Sequence, residues 1–256
     1  MSTTTIESAL LLVVTSATAG LVGSFIVMRR MVLAADALSH VALPGIGFAL
    51  LLKIHPLVGA LFALLLGTLF IWGIERRARL PVETVVGVVF SGALAVGSLM
   101  TSGDELIHAL LGKPTQLGIA ELVIALAGST GVVAFLALRW RELLVSLVSR
   151  DIATSIGIRP WSLELQFMIV FAVTVALGVR YLGVLLMGSL VIIPAATAKH
   201  VAVSLRGTVA VAVGLAVTSM ALGTWIGAAT GRETGPPIVL VAVAFFLLSL
   251  RKRAFV

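Results

Sequence analysis

The chain has 256 residues, of which 60% are hydrophobic and only 11% charged, whereas a soluble domain is about 45–50% apolar and about 25% charged. That excludes an ordinary water-soluble domain. At about 20 apolar residues per crossing, the length allows about nine or ten membrane helices and leaves no room for a soluble catalytic domain. The net charge of +7 reads as basic loops that report orientation rather than as a nucleic-acid surface. With no cysteine, disulfides and thiolate ligands are excluded, so any transition metal must meet nitrogen and oxygen donors.

Taken in chain order, nine apolar segments cover about 6–28, 31–52, 57–74, 82–101, 118–138, 165–179, 182–198, 207–230 and 236–250, the seventh being the weakest. They predict an all-α polytopic bundle of about 8–9 transmembrane helices, one transmembrane domain over 1–256. The first run has no basic stretch before it and no small-residue cleavage site after it, so it reads as a retained helix rather than a signal peptide. Of the 18 Lys and Arg, 14 fall in alternate connections, among them Arg29, Arg30, Arg76, Arg77, Arg139, Arg150, Lys199 and Arg206. This asymmetry places that set in the cytoplasm, the N-terminus outside and the C-terminus inside.

Two connections are longer than tight turns. The outer one, 102–117, contains DELIHALL at 104–111, which suits a short interfacial helix. The inner one, 139–163, places Ile152, Ile156 and Ile158 among polar residues and ends on Gly157 and the Arg159–Pro160 pair, a short amphipathic helix with a glycine stop. It reads as a docking element for another subunit; the alternative is a helix resting on lipid. Glycines such as Gly45, Gly47, Gly87, Gly92, Gly97, Gly183 and Gly188 predict close helix packing. Pro44, Pro194 and the Pro236–Pro237 pair are candidate helix breaks or kinks.

A charge within a membrane helix is costly enough to need a reason. Glu7, Glu75, Glu83, Glu121, Glu142, Glu164 and Glu233 lie at expected helix ends or in connections, where solvation or the helix dipole accounts for them. Asp36 lies inside the second apolar segment, and His40 follows four residues on. That spacing puts carboxylate and imidazole on one helix face, and both are donors that zinc, manganese and iron accept. Two ligands make a weak site, suited to an ion that must be released, with water or a second copy of the chain completing the shell. The alternative is a structural pair in which the two side chains neutralise each other and Ser39 adds a hydrogen bond. His55, His108 and His200 read as interfacial or solvated. No phosphate loop, HExxH or GxSxG occurs, so ATP, if consumed, must be bound by another subunit.

The stretch 29–45, RRMVLAADALSHVALPG, together with ETVVG at 83–87, LLG at 110–112, IIPAATA at 192–198 within the longer match 185–198, and GPPI at 235–238, resembles the membrane permeases of bacterial ABC importers for zinc, manganese and iron. The resemblance runs through nearly the whole chain. It implies a permease of the large-importer (type II) kind in the bacterial cytoplasmic membrane, paired with a second copy or close homologue, served outside by a metal-binding receptor protein and inside by an ABC ATPase dimer. Asp36 and His40 match the family's ion-coordinating positions. The segment SRDIATSIG at 149–157 matches its coupling helix, with Asp151, Ala153 and Gly157 at ATPase-coupling positions. Ala35 replaces the usual glycine, and Asp151 stands where glutamate is common. The resemblance implies no permanently bound cofactor: the divalent ion is cargo, and ATP belongs to the partner. A gradient-driven secondary transporter would spread titratable relays over several helices, and a metal-chelate importer would have little use for an Asp–His pair. Zinc, manganese and ferrous iron are not separated by one carboxylate and one imidazole.

Overall fold

The computed structural model describes residues 3–78, 80, 82–100, 119–231 and 233–251. Among them are eleven helices and no strand: α1 (Thr3–Met28), α2 (Val32–Leu51), α3 (Pro56–Ala78), α4 (Val82–Met100), α5 (Ile119–Leu138), α6 (Trp140–Val148), α7 (Arg150–Ser155), α8 (Pro160–Leu182), α9 (Val184–Val201), α10 (Leu205–Thr230) and α11 (Gly235–Arg251). The nine apolar segments read from the sequence correspond to α1–α5 and α8–α11. Five of these helices are long and apolar enough to cross a membrane, α5 with α6 makes a sixth as a span bent by 59°, and three shorter apolar stretches lie at 83–99, 186–201 and 235–250. The expected outer helix at 104–111 lies outside the described residues.

The architecture follows from where each apolar helix finds a partner. α1 packs against α5, α8, α9 and α10, while α2 packs chiefly against α3 and α4 and also meets α8 and α9. Val22, Phe25 and Ile26 of α1, Leu38 and Val41 of α2, Phe167 and Phe171 of α8, and Met187 and Leu190 of α9 form one continuous core. Lipid gives helices no hydrophobic reason to associate, so close backbone approach must supply the attraction. At the α2–α3 crossing Gly45 and Gly59 face each other, and a Cβ on either would collide with the carbonyl oxygen of the other. Gly87 and Gly92, by contrast, have nothing within 4 Å of an added Cβ, so the packing expected of them is not made among the described residues.

Pro44 and Pro194 sit inside α2 and α9 without ending either helix, and Pro236 and Pro237 occupy the first turn of α11, where a missing N–H costs nothing. The expected inner amphipathic helix is two: α6, turned away from α5, and the short α7. Trp140 opens α6 and, just past the bend, meets Phe25 of the core edge-on at 5.3 Å. Trp72 Nε1 donates to the Trp161 carbonyl at 3.2 Å, tying the end of α3 to the start of α8 beside α7.

Candidate functional site

Asp36 and His40 stand on α2, about 6 and 12 Å along the axis from its start at Val32, at 1.5 Å per residue. Asp36 is exposed on this chain and His40 half-buried. The His40 ring meets Phe90 of α4 edge-on at 5.4 Å, and its Nδ1 is buried without a protein partner among the described residues. α9 passes the carboxylate with a glycine: a Cβ at Gly188 would lie 3.3 Å from Asp36 Oδ1 and 3.9 Å from Ser39 Oγ. Ser39 Oγ donates to the Ala35 carbonyl at 3.0 Å, so the hydroxyl serves the backbone of its own helix rather than the carboxylate. Asp36 and His40 form no ion pair with each other within 4.0 Å, unlike the pairs of Arg139 with Glu142 and Arg150 with Glu164. Among the described residues there is no cluster of three or more His, Cys, Asp or Glu side chains able to hold a metal.

The inner segment is built as the sequence dictates. Ser149 caps α7, its Oγ accepting the Ile152 N–H at 3.4 Å. Gly157, at φ +83°, ends it: Gly157 N–H donates to Thr154 O and Ile158 N–H to Ala153 O, both at 3.0 Å, the paired bonds of a Schellman stop. Ala153 is fully buried against the body, whereas Ile152 and Ile156 are 54% and 60% exposed. Asp151 is also exposed. α7 therefore presents two isoleucines and a carboxylate outward while one small residue seats it.

Between this segment and the α1–α2 corner lies a cavity of about 660 Å³ whose walls include Arg29, Arg30, Glu75, Glu83, Arg150, Glu164 and Lys199. The helix ends that meet here are those whose basic residues form the sequence's majority set. Sequence reasoning left Glu164 as a solvated helix-end carboxylate. It is instead 8% exposed and accepts two bonds from Arg150 Nη2, at 3.2 Å to Oε1 and 2.9 Å to Oε2. The signal that could have found it is a glutamate in the first turns of a helix that follows a docking segment bearing an arginine. Glu75, read the same way, has its Oε2 buried without a protein partner among the described residues. His200 is half-buried, with Nδ1 also unpartnered among the described residues, rather than simply solvated, while His55 is exposed and its Nδ1 accepts the Leu57 N–H at 3.3 Å.

The family model of the ABC 3 transport family matches residues 1–253. This chain belongs to that family. It is 30% identical over 237 residues to the high-affinity zinc uptake system membrane protein ZnuB of Haemophilus influenzae, covering 90% of each chain. It is 30% identical over 235 residues to the manganese import system permease protein ScaB of Streptococcus parasanguinis, covering 90% of this chain and 84% of that one. Among solved structures, PsaBC from Streptococcus pneumoniae in complex with Fab superposes with a TM-score of 0.86 at 26% identity, over 97% of this chain and 91% of the other. The ABC 3 chain described here is thus an all-α, multi-pass membrane permease and a transport subunit rather than an enzyme; its family's relatives include permeases of both zinc and manganese import systems.

Proposed function

We propose that the chain is the membrane path of an ATP-driven importer of divalent transition-metal ions, zinc, manganese or ferrous iron, with Asp36 and His40 as the transient ligands. The observation that carries this reading is the state of the pair. An exposed carboxylate and a buried imidazole nitrogen, neither bonded to protein among the described residues, lie on one face of a helix that is otherwise apolar. Leaving the buried imidazole nitrogen unsatisfied costs free energy, and a carboxylate within a membrane helix asks for a partner; a structural pair would have met both demands by closing on itself. A divalent cation uses both donors, and water or a second permease copy across the Asp36 face completes its shell. The glycine at 188 keeps room beside the carboxylate.

In this reading a receptor protein delivers the ion on the outside, and the N-terminus lies on that side. An ATPase dimer docks inside on 149–157, where Ile152, Ile156 and Asp151 face outward, Ala153 seats the helix and Gly157 stops it. Alternating access follows when ATP closes the ATPase pair and the docking segments move with it. The start of α2 lies at the basic end of the bundle, so the pair sits in the cytoplasmic half of the path.

The test is uptake of zinc and of manganese by vesicles containing the complete complex. Asp36→Asn and His40→Ala should each abolish uptake while the assembled complex still hydrolyses ATP. A loss of folded complex in step with the loss of uptake would favour the structural pair, and full uptake by the double variant would remove the site.

A further inference from the structure

We propose that Glu164 is a positioning residue that exchanges partners during transport, passing between Arg150 of the docking segment and Arg29 at the α1–α2 corner, and thereby links movement of that segment to the helix carrying Asp36 and His40. The inference rests on 149–157 being the ATPase-docking segment.

α7 has six residues and is seated by little more than Ala153. Its firmest tie to the body is Arg150, which grips Glu164 through Nη2 and lies 4.6 Å over the ring of Trp161. Both contacts are on the first turns of α8. One turn further along α8, Phe167 carries a second guanidinium, that of Arg29, at 4.9 Å. The Glu164 carboxylate therefore stands between two arginines and is bonded to one.

Arg29 is left in an unfavourable state. Its Nε and Nη2 are buried without a protein partner among the described residues. Burial pulls its pKa below the ordinary arginine value, and the neighbouring charge of Glu164 opposes that pull. Glu164 is thus the carboxylate whose field already acts on Arg29, although it forms no bond to it. Open donors on a buried guanidinium favour gaining a carboxylate, which would exchange one charge-assisted bond for another. The cavity between the α6–α7 elbow and the corner gives the side chains room for it.

The corner is suited to respond. α1 ends with Arg30 N–H bonded to Val27 O at 3.3 Å and Met31 N–H to Ile26 O at 3.0 Å, a Schellman stop like that of α7. Here, however, the left-handed position at φ +60° is held by arginine, not glycine, so the turn carries backbone strain. α2 begins two residues later, with Asp36 in its second turn. A carboxylate that leaves Arg150 for Arg29 would bias this strained turn and the tilt of α2 together, giving an element with two discrete arrangements, which transmission of coupling requires.

The test uses the permease co-purified with its ATPase and receptor, reconstituted in vesicles, with zinc and manganese ions as probes. Glu164→Gln and Arg29→Gln should each assemble and hydrolyse ATP at the basal rate, lose receptor-and-metal stimulation of hydrolysis, and lower uptake by about tenfold or more, within the span of ordinary coupling strengths. Glu164→Asp should restore part of both. The double variant should be no worse than the more affected single one, because both changes remove the same contact. Normal coupling in Arg29→Gln, or loss of ATPase binding in Glu164→Gln, would overturn the exchange and leave Glu164 as an anchor. Should Glu164→Gln fail to fold, Arg29→Gln decides alone, since it leaves the Arg150 pair in place. Failure of the docking reading shows separately: with Glu164 and Arg29 left unchanged, Ile152→Cys and Ile156→Cys permeases would then not cross-link to the ATPase.

Discussion

Replacing Gly157 with valine isolates the contribution of one backbone angle to subunit coupling. Gly157 sits at φ +83°, and a Cβ built there meets nothing within 4 Å. No packing clash therefore enters, and the cost is that of holding an L-residue in the left-handed region, about 1–2 kcal/mol, with β-branching making it worse. That cost falls on a six-residue helix whose stop depends on this residue for two backbone bonds, Gly157 to Thr154 and Ile158 to Ala153. A change of one or two kcal/mol alters the population of the formed stop by about 5–30-fold. The bundle core lies elsewhere, so membrane insertion and thermal stability of the permease should hold while ATPase affinity and metal-stimulated hydrolysis fall. Gly157→Asn should lose less, because asparagine tolerates the left-handed region. The assay is ATPase retention on immobilised permease, followed by stimulated hydrolysis of the reconstituted complex. Unchanged retention and stimulation in Gly157→Val would refute both the docking assignment and the energetic argument; equal losses in the valine and asparagine variants would refute the backbone as the cause.

Substitutions at two further positions probe the surroundings of α2, which carries Asp36 and His40. Gly188→Ala should keep most uptake, since its Cβ lies 3.3 Å from Asp36 Oδ1 and a few tenths of an ångström relieve it, whereas Gly188→Val should fill the space beside the carboxylate and lower uptake with assembly intact; vesicle uptake set against complex yield separates the two. Gly45→Leu should act on the fold, because the Gly59 carbonyl that its Cβ would strike is backbone and cannot turn aside. Prising α2 from α3 should cost about 1–3 kcal/mol or more, as overpacking does, read as lower melting temperature in detergent, and a variant as stable as the parent would show that this crossing is not close.

The lengths and apolarity of the helices were legible because membrane crossing is a local demand: about 20 residues must each be apolar whatever their neighbours do. A glycine stop is local too, so the role of Gly157 at the end of α7 follows from the chain itself, as does the shared face of Asp36 and His40. The family resemblance was carried by the stretch 29–45 and its companions, and the match over 1–253 bears it out. Spacing also exposed the choice between an ion site and a structural pair, but spacing could not say whether Ser39 bonds to Asp36 or to its own helix.

What only the tertiary structure decided concerns residues whose environment comes from distant parts of the chain. Glu164 looks like any first-turn glutamate until α7 folds back and sets Arg150 against it, 14 positions earlier in sequence. Arg29 looks like a positive-inside loop residue until α8 places Phe167 over it. Gly45 needed Gly59 opposite to have a purpose, while Gly87 and Gly92, alike in sequence, meet none of the described residues. Composition fixes which solvent a helix tolerates, but burial, ion pairing and backbone collision depend on which helix lies across from it, and in lipid that choice comes from packing between chain segments rather than from any local run of residues.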